Sequence, residues 1–176
     1  MKPYKILFTG TMGAGKTTAI AQISDIEPVT TDVQNNDPTL LKETTTVGLD
    51  YGELTLASGE QLRLYGTPGQ HRFAFMWKIL SKGALGVIIL LDHSRPDPYA
   101  DLSIYLSNFA ELISQAACVI AVGRLDDPSS LDNYSRHAAE HGVLCPVIAT
   151  DVREREQVLL LVDLLLLQLE SRVITA

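Results

Sequence analysis

Gly10-Thr11-Met12-Gly13-Ala14-Gly15-Lys16-Thr17 stands between an apolar run of strand length, Lys5 to Thr9, and a segment of helical character from about Lys16 to Ser24. These residues satisfy the G-x-x-x-x-G-K-[ST] pattern, and a strand before with a helix after is the context that gives the pattern weight. The chemistry is one of close approach. Glycines let the backbone wrap phosphates, while successive N–H groups from Gly13 to Thr18, at the start of a helix, supply partial positive charge. Lys16 reaches the outer phosphates, and the Thr17 hydroxyl can bind Mg²⁺.

Outward from this loop, strand-length apolar runs alternate with helical segments, the pattern of an α/β domain with a largely parallel sheet. Asp25 to Thr46 is polar and rich in Thr, Asp and Asn. It is too long for an ordinary connection and reads as a functional loop. Leu49 to Ala57 and Gln61 to Tyr65 alternate around Ser58-Gly59-Glu60, as a hairpin does. Gly66 to His71 is a second irregular stretch, leading into a helix through about Lys82. Gly86 to Leu91 reads as a strand buried on both faces. The spacing then predicts a helix over Asp101 to Ser114, a strand over Ala117 to Val122, a helix near Leu131 to His141, a strand near Pro146 to Ala149 and a last helix over about Glu154 to Ser171.

At 176 residues the chain fits one domain, residues 1–176, with an ordinary 46% hydrophobic and 20% charged content. Its net charge of -7 and the lack of a long basic run speak against nucleic acid and anionic membranes as partners. Cys118 and Cys145 lie in apolar stretches and read as reduced thiols. The start reads as a first strand and not a signal peptide, and no lipidation pattern marks either end. The expectation is a cytoplasmic protein without a stable membrane anchor.

A phosphate loop alone does not separate a GTPase from a small-molecule kinase, so further residues have to decide. Thr45-Thr46-Val47-Gly48 ends the long polar loop, Gly66-Thr67-Pro68-Gly69-Gln70 follows a strand, and Asp92-His93-Ser94 ends another. With these in order, the chain resembles the Ras/Arf-like small GTPases from Lys5 to about Leu169, and Tyr65 to Phe73 resembles the bacterial MglA-like subgroup. The resemblance implies a three-layer P-loop NTPase fold: a mostly parallel six-stranded sheet of order 2-3-1-4-5-6 whose second strand is an antiparallel edge. It implies GTP or GDP with Mg²⁺ as ligands. Thr46 would bind Mg²⁺ and the γ-phosphate, the Gly69 N–H would touch that phosphate, and Gln70 would orient the attacking water. A small roadblock-type dimer that senses the triphosphate form would be the regulatory partner.

Three positions depart from that pattern. Gly66 stands where most Ras-like proteins carry the aspartate that holds Mg²⁺ through water, which implies a weaker hold on the metal. Met12 stands where a glycine is usual and crowds the path of an activator's arginine. The base-reading Asn-Lys-x-Asp is replaced by Gly123-Arg124-Leu125-Asp126-Asp127. A carboxylate accepts two N–H bonds from guanine and not from adenine, and Arg124 could cover the ring face. Asp126 keeps the four-residue block, but the ungapped choice, Asp127, stands beside it. Val152, in Asp151-Val152-Arg153, falls where the resemblance puts a backbone N–H on the guanine carbonyl.

The resulting expectation is a slow, partner-stimulated GTPase switch using Lys16, Thr17, Thr46 and Gln70. Its rivals are a small-molecule phosphotransferase and a nucleotide-holding scaffold without turnover. His71, His93, His137 and His141 have no metal-ligand spacing. On the last helix, Leu160 and Leu167 fall at the edge of the outward face marked by Glu156, Asp163 and Glu170, a place for a protein contact.

Overall fold

The computed structural model describes residues 3–34 and 46–175. In Tyr4–Gly10 (β1), alternation sends Ile6 and Phe8 to one face and Leu7 to the other, all fully buried. Such a strand has to lie inside a sheet covered on both sides. The other strands are Val29–Gln34 (β2), Thr46–Thr55 (β3), Gln61–Gly66 (β4), Ala84–Asp92 (β5), Ala117–Gly123 (β6) and Val147–Ala149 (β7), in the spatial order β2-β3-β4-β1-β5-β6-β7. Pairing from β4 through β1 to β7 is parallel. Antiparallel pairing is confined to the β2–β3–β4 edge.

The sheet therefore has seven strands where six are expected. The extra one, Val29–Gln34, comes from the segment that reads as a loop, and it adds an outermost strand beyond the antiparallel one. An edge strand is held by its ladder to β3 and needs no apolar face, so polarity hides it from a pattern search; Val29 is half exposed. Residues 35–45, including Thr45, lie outside the described residues.

Two helices, Lys16–Ile23 (α1) and Arg155–Thr175 (α6), cover one sheet face, packing Ile20, Ile23, Leu161 and Leu165 on Ile6 and Phe8. The other face carries Ala74–Ser81 (α2), Pro98–Asn108 (α3), Ala110–Gln115 (α4) and Leu131–Glu140 (α5), with Trp77, Leu102, Ile113 and Tyr134 in its core. The helix expected over Asp101 to Ser114 starts earlier, because Pro98 occupies its first turn and the Asp97 carboxylate accepts the Ala100 N–H at 2.9 Å. It breaks at Phe109, whose buried ring stacks on Trp77 with centroids 5.8 Å apart. On α6, Leu160 and Leu167 are 47% and 58% exposed. Among the described residues, no helix is long and apolar enough to cross a membrane.

Candidate functional site

Parallel strands end together at one rim of the sheet, and the loops that leave β1, β5, β6 and β7 there enclose a cleft of about 530 Å³. That rim is where open α/β sheets hold ligands. Gly13, Ala14, Gly15 and Thr18 wall one end, and Asp92, Gly123 to Leu125 and Thr150 to Arg153 wall the other. Among the described residues, the buried Thr150 hydroxyl beside the cleft has no hydrogen-bond partner, and neither has the Thr11 hydroxyl in the loop. Buried orphans at a cleft are groups a ligand or water can satisfy.

At the loop end, Gly15 adopts φ 99° as α1 begins, and a Cβ there would lie 2.6 Å from a Val152 methyl. Only glycine meets both demands. Lys16 is 8% exposed and donates to the carbonyls of Gly10 and Thr11 at 2.6 and 2.8 Å. Burial pulls its ammonium down to about 8, against the opposing influence of Asp50. The Thr17 hydroxyl donates to Asp50 Oδ2 at 2.6 Å. Mg²⁺ asks for hard oxygen donors with an anion close by, and a hydroxyl set against a buried carboxylate meets that demand. Thr46 is the first residue of β3, and its side chain lies outside the described part.

The Gly66–Gln70 loop leans on this end. Thr67 N–H donates to Phe8 O at 2.9 Å, its hydroxyl pairs with that of Thr9 at 2.7 Å, and the Trp77 indole N–H donates to Pro68 O at 2.7 Å. The loop comes so close that a Cβ on Gly69 would lie 2.7 Å from Met12 N and 2.9 Å from Lys16 Nζ. Gln70 Nε2 lies 3.6 Å from Met12 Sδ, so the methionine expected to crowd an incoming arginine touches the glutamine expected to place water. The Arg72 guanidinium lies over the neighbouring Phe73 ring, 4.9 Å from its centroid.

At the other end, the two candidate carboxylates separate. Asp127 accepts from Ser129 N–H and Oγ at 3.0 and 2.6 Å, capping the turn Pro128–Ser130, and these bonds hold its carboxyl below the usual range. Asp126 is exposed and, among the described residues, bonds to nothing; it does not itself line the cleft. Arg124 does, and it is the only non-glycine residue with positive φ among those described, at 53°. Its guanidinium pairs with Asp92. Burial pushes the Asp92 carboxyl up, but Ser94 and Arg124 together outweigh it and hold it low. Val152 lines the cleft between Asp151 and Arg153, which pair with each other at 2.8 Å.

The sequence reading missed Asp50. Its signal is an acid on the inward face of a strand, in step with buried Leu54. Gln157, which lines the cleft and accepts the Asp151 N–H at 2.7 Å, was also missed and has no such signal.

A family model described as "Conserved hypothetical ATP binding protein" matches residues 27–140, a span that begins after the glycine-rich loop. The chain is similar to the Ras-related protein RabC of Dictyostelium discoideum, 26% identical over 129 residues that make up 70% of this chain and 60% of that protein. It is also similar to the Ras-related protein Rab-10 of Caenorhabditis elegans, 26% identical over 148 residues, 80% of this chain and 68% of that one. The GTP-binding protein ypt4 of Schizosaccharomyces pombe is 27% identical over 89 residues, 47% of this chain and 38% of that protein. The chain thus spans 60% of the length of RabC.

Proposed function

The chain belongs to the family of conserved hypothetical ATP binding proteins, and from that premise, together with its similarity to Ras-related proteins, we propose that it is a guanine-nucleotide switch that hydrolyses GTP to GDP and phosphate. The observation that carries this reading is the contact of Gly69 with Met12 and Lys16. The second loop lies where no room remains for even one added methyl group. An outer phosphate reaching Lys16 has to displace it, so the loop's position depends on whether that phosphate is present. Neither a phosphotransferase nor a passive scaffold needs such a coupling.

In this reading Lys16 and the N–H groups of Gly13, Ala14, Gly15, Thr17 and Thr18 hold the phosphates, and Thr17 and Thr46 supply oxygens to Mg²⁺. The metal, when bound, neutralises phosphate charge. Gly69 N–H meets the γ-phosphate and Gln70 orients water. Arg72 is turned onto Phe73 and Arg124 and Arg153 wall the end of the cleft away from the loop, so turnover is slow until a partner supplies an arginine. The protein is cytoplasmic and of the MglA-like kind, and its regulator is a roadblock-type dimer. Phe75 and Ile79, one turn apart on α2 and each 60% exposed, offer that partner an apolar face next to the moving loop. We expect Gln70→Leu to slow single-turnover hydrolysis on the order of 10–100-fold while sparing nucleotide affinity. An unchanged rate, with and without a partner, removes Gln70 from the mechanism.

The base is the point of contention, since the matched family's description says ATP. Asp127 is committed to its turn and Asp126 is free, so Asp126 is assigned to the two guanine N–H groups. Two charge-assisted bonds of about 1.5–3 kcal/mol each correspond to a GTP preference of 100-fold or more. Competition of GTP, GDP and ATP against a fluorescent nucleotide tests it, and Asp126→Ala should erase most of the preference. If ATP binds the unsubstituted protein as tightly as GTP, the adenine reading wins.

A further inference from the structure

Met12 is 66% exposed, while Thr11 beside it and Lys16 in the same loop are buried. Its thioether accepts from Gln70 Nε2 at 3.6 Å. Its backbone lies against the same neighbour, since a Cβ on Gly69 would stand 2.7 Å from Met12 N and 2.9 Å from Met12 Cα. Residue 12 thus meets the Gly66–Gln70 loop through its backbone and through its sulfur. A thioether is a weak acceptor, so the sulfur holds the glutamine lightly. The other methionine among the described residues, Met76 on α2, is half-buried.

We infer that Met12 is an oxidation site that governs turnover: hydrogen peroxide converts its thioether to the sulfoxide, and the new oxygen holds the Gln70 amide. The inference rests on the switch reading above, which gives Gln70 the attacking water. In the reaction a sulfur lone pair forms the S–O bond, the peroxide O–O bond breaks and water leaves. Sulfur gives up two electrons and the peroxide takes them. The product is polar where the thioether was not, and an exposed, unbranched side chain has the freedom to turn its oxygen toward the amide N–H. A glutamine so held is withheld from water. Gly69 beside it also stays against Met12, so each turnover first has to break the new bond. The N–H groups assigned to the phosphates begin at Gly13, and the oxidised sulfur is not among them, so GDP binding is spared.

The test is single-turnover hydrolysis of GTP by the full chain before and after hydrogen peroxide, with peptide mass mapping to place the added oxygen. Oxygen should map to Met12 ahead of the half-buried Met76. Turnover should slow about 3–10-fold, the worth of one ordinary hydrogen bond, while GDP affinity stays unchanged. Methionine sulfoxide reductases acting on both epimers should restore the rate. Met12→Leu has no sulfur to oxidise and should keep its own rate after peroxide, whereas Met76→Leu should slow as the unsubstituted protein does. An unchanged rate with Met12 oxidised overturns the inference, and so does equal slowing in Met12→Leu or a map without oxygen at Met12. If the unoxidised protein hydrolyses no GTP, the switch reading itself fails.

Discussion

Lys16→Ala should abolish nucleotide binding while leaving the fold intact. Its ammonium is the one positive side chain within the glycine-rich loop, and it is already placed: Gly10 O and Thr11 O hold Nζ at 2.6 and 2.8 Å. A phosphate meeting it gains charge-assisted hydrogen bonds of about 1.5–3 kcal/mol each, so losing two costs on the order of 100-fold or more in affinity. The two carbonyls left unpaired cost about 1–3 kcal/mol each, less than the about 5–15 kcal/mol of a typical domain, which is why the fold should persist. A pH dependence follows. Burial brings the ammonium down to about 8, and bound phosphate pulls it back up, so the bound state holds more protons above that pH. Affinity should therefore be level below about pH 8 and fall as the pH rises beyond it. Titration of a fluorescent GDP, with circular dichroism as the control for folding, checks both. Binding retained within a few-fold in Lys16→Ala removes the loop from the function.

The parts of this protein that repeat a local rule were legible in its sequence. β1, β5 and β6 are apolar runs because both sheet faces are covered, and the loop after β1 carries its glycines for reasons visible one residue at a time. What escaped depends on pairing. Val29–Gln34 is polar because an edge strand is held by its neighbour's backbone, so no periodicity announces it. Asp50 escaped in a different way. Counting outward from the turn at Ser58-Gly59-Glu60 sets residue 50 opposite residue 66, as the ladder does, so its place beside Gly66 is legible only through the pairing of two strands. The Ser129 contacts that cap the turn after β6 engage Asp127 and not Asp126, a difference that the sequence, with an acid in both registers, does not show.

Trp77 ties the stability of the molecule to the Gly66–Gln70 loop. It is the chain's only tryptophan and is 1% exposed. Its ring packs against Tyr105 and Phe109 at centroid distances of 5.0 and 5.8 Å, and its N–H holds Pro68 O, immediately before Gly69 and Gln70. Trp77→Ala removes the ring and leaves a cavity between the sheet and α3. The expected loss is about 3–5 kcal/mol, against about 5–15 kcal/mol for a typical domain, and a urea titration measures it. Trp77→Phe separates the two roles. It retains most of the packing but leaves the Pro68 carbonyl unpaired, a cost of about 1–3 kcal/mol. The tether between α2 and the loop is then gone although the core remains. Trypsin should cut after Arg72 faster in Trp77→Phe than in the unsubstituted protein, by more than the fall in global stability explains, because local opening of the loop no longer requires the indole bond to break. Equal cleavage rates would show that the contacts of Thr67 with Phe8 and Thr9 hold the loop by themselves.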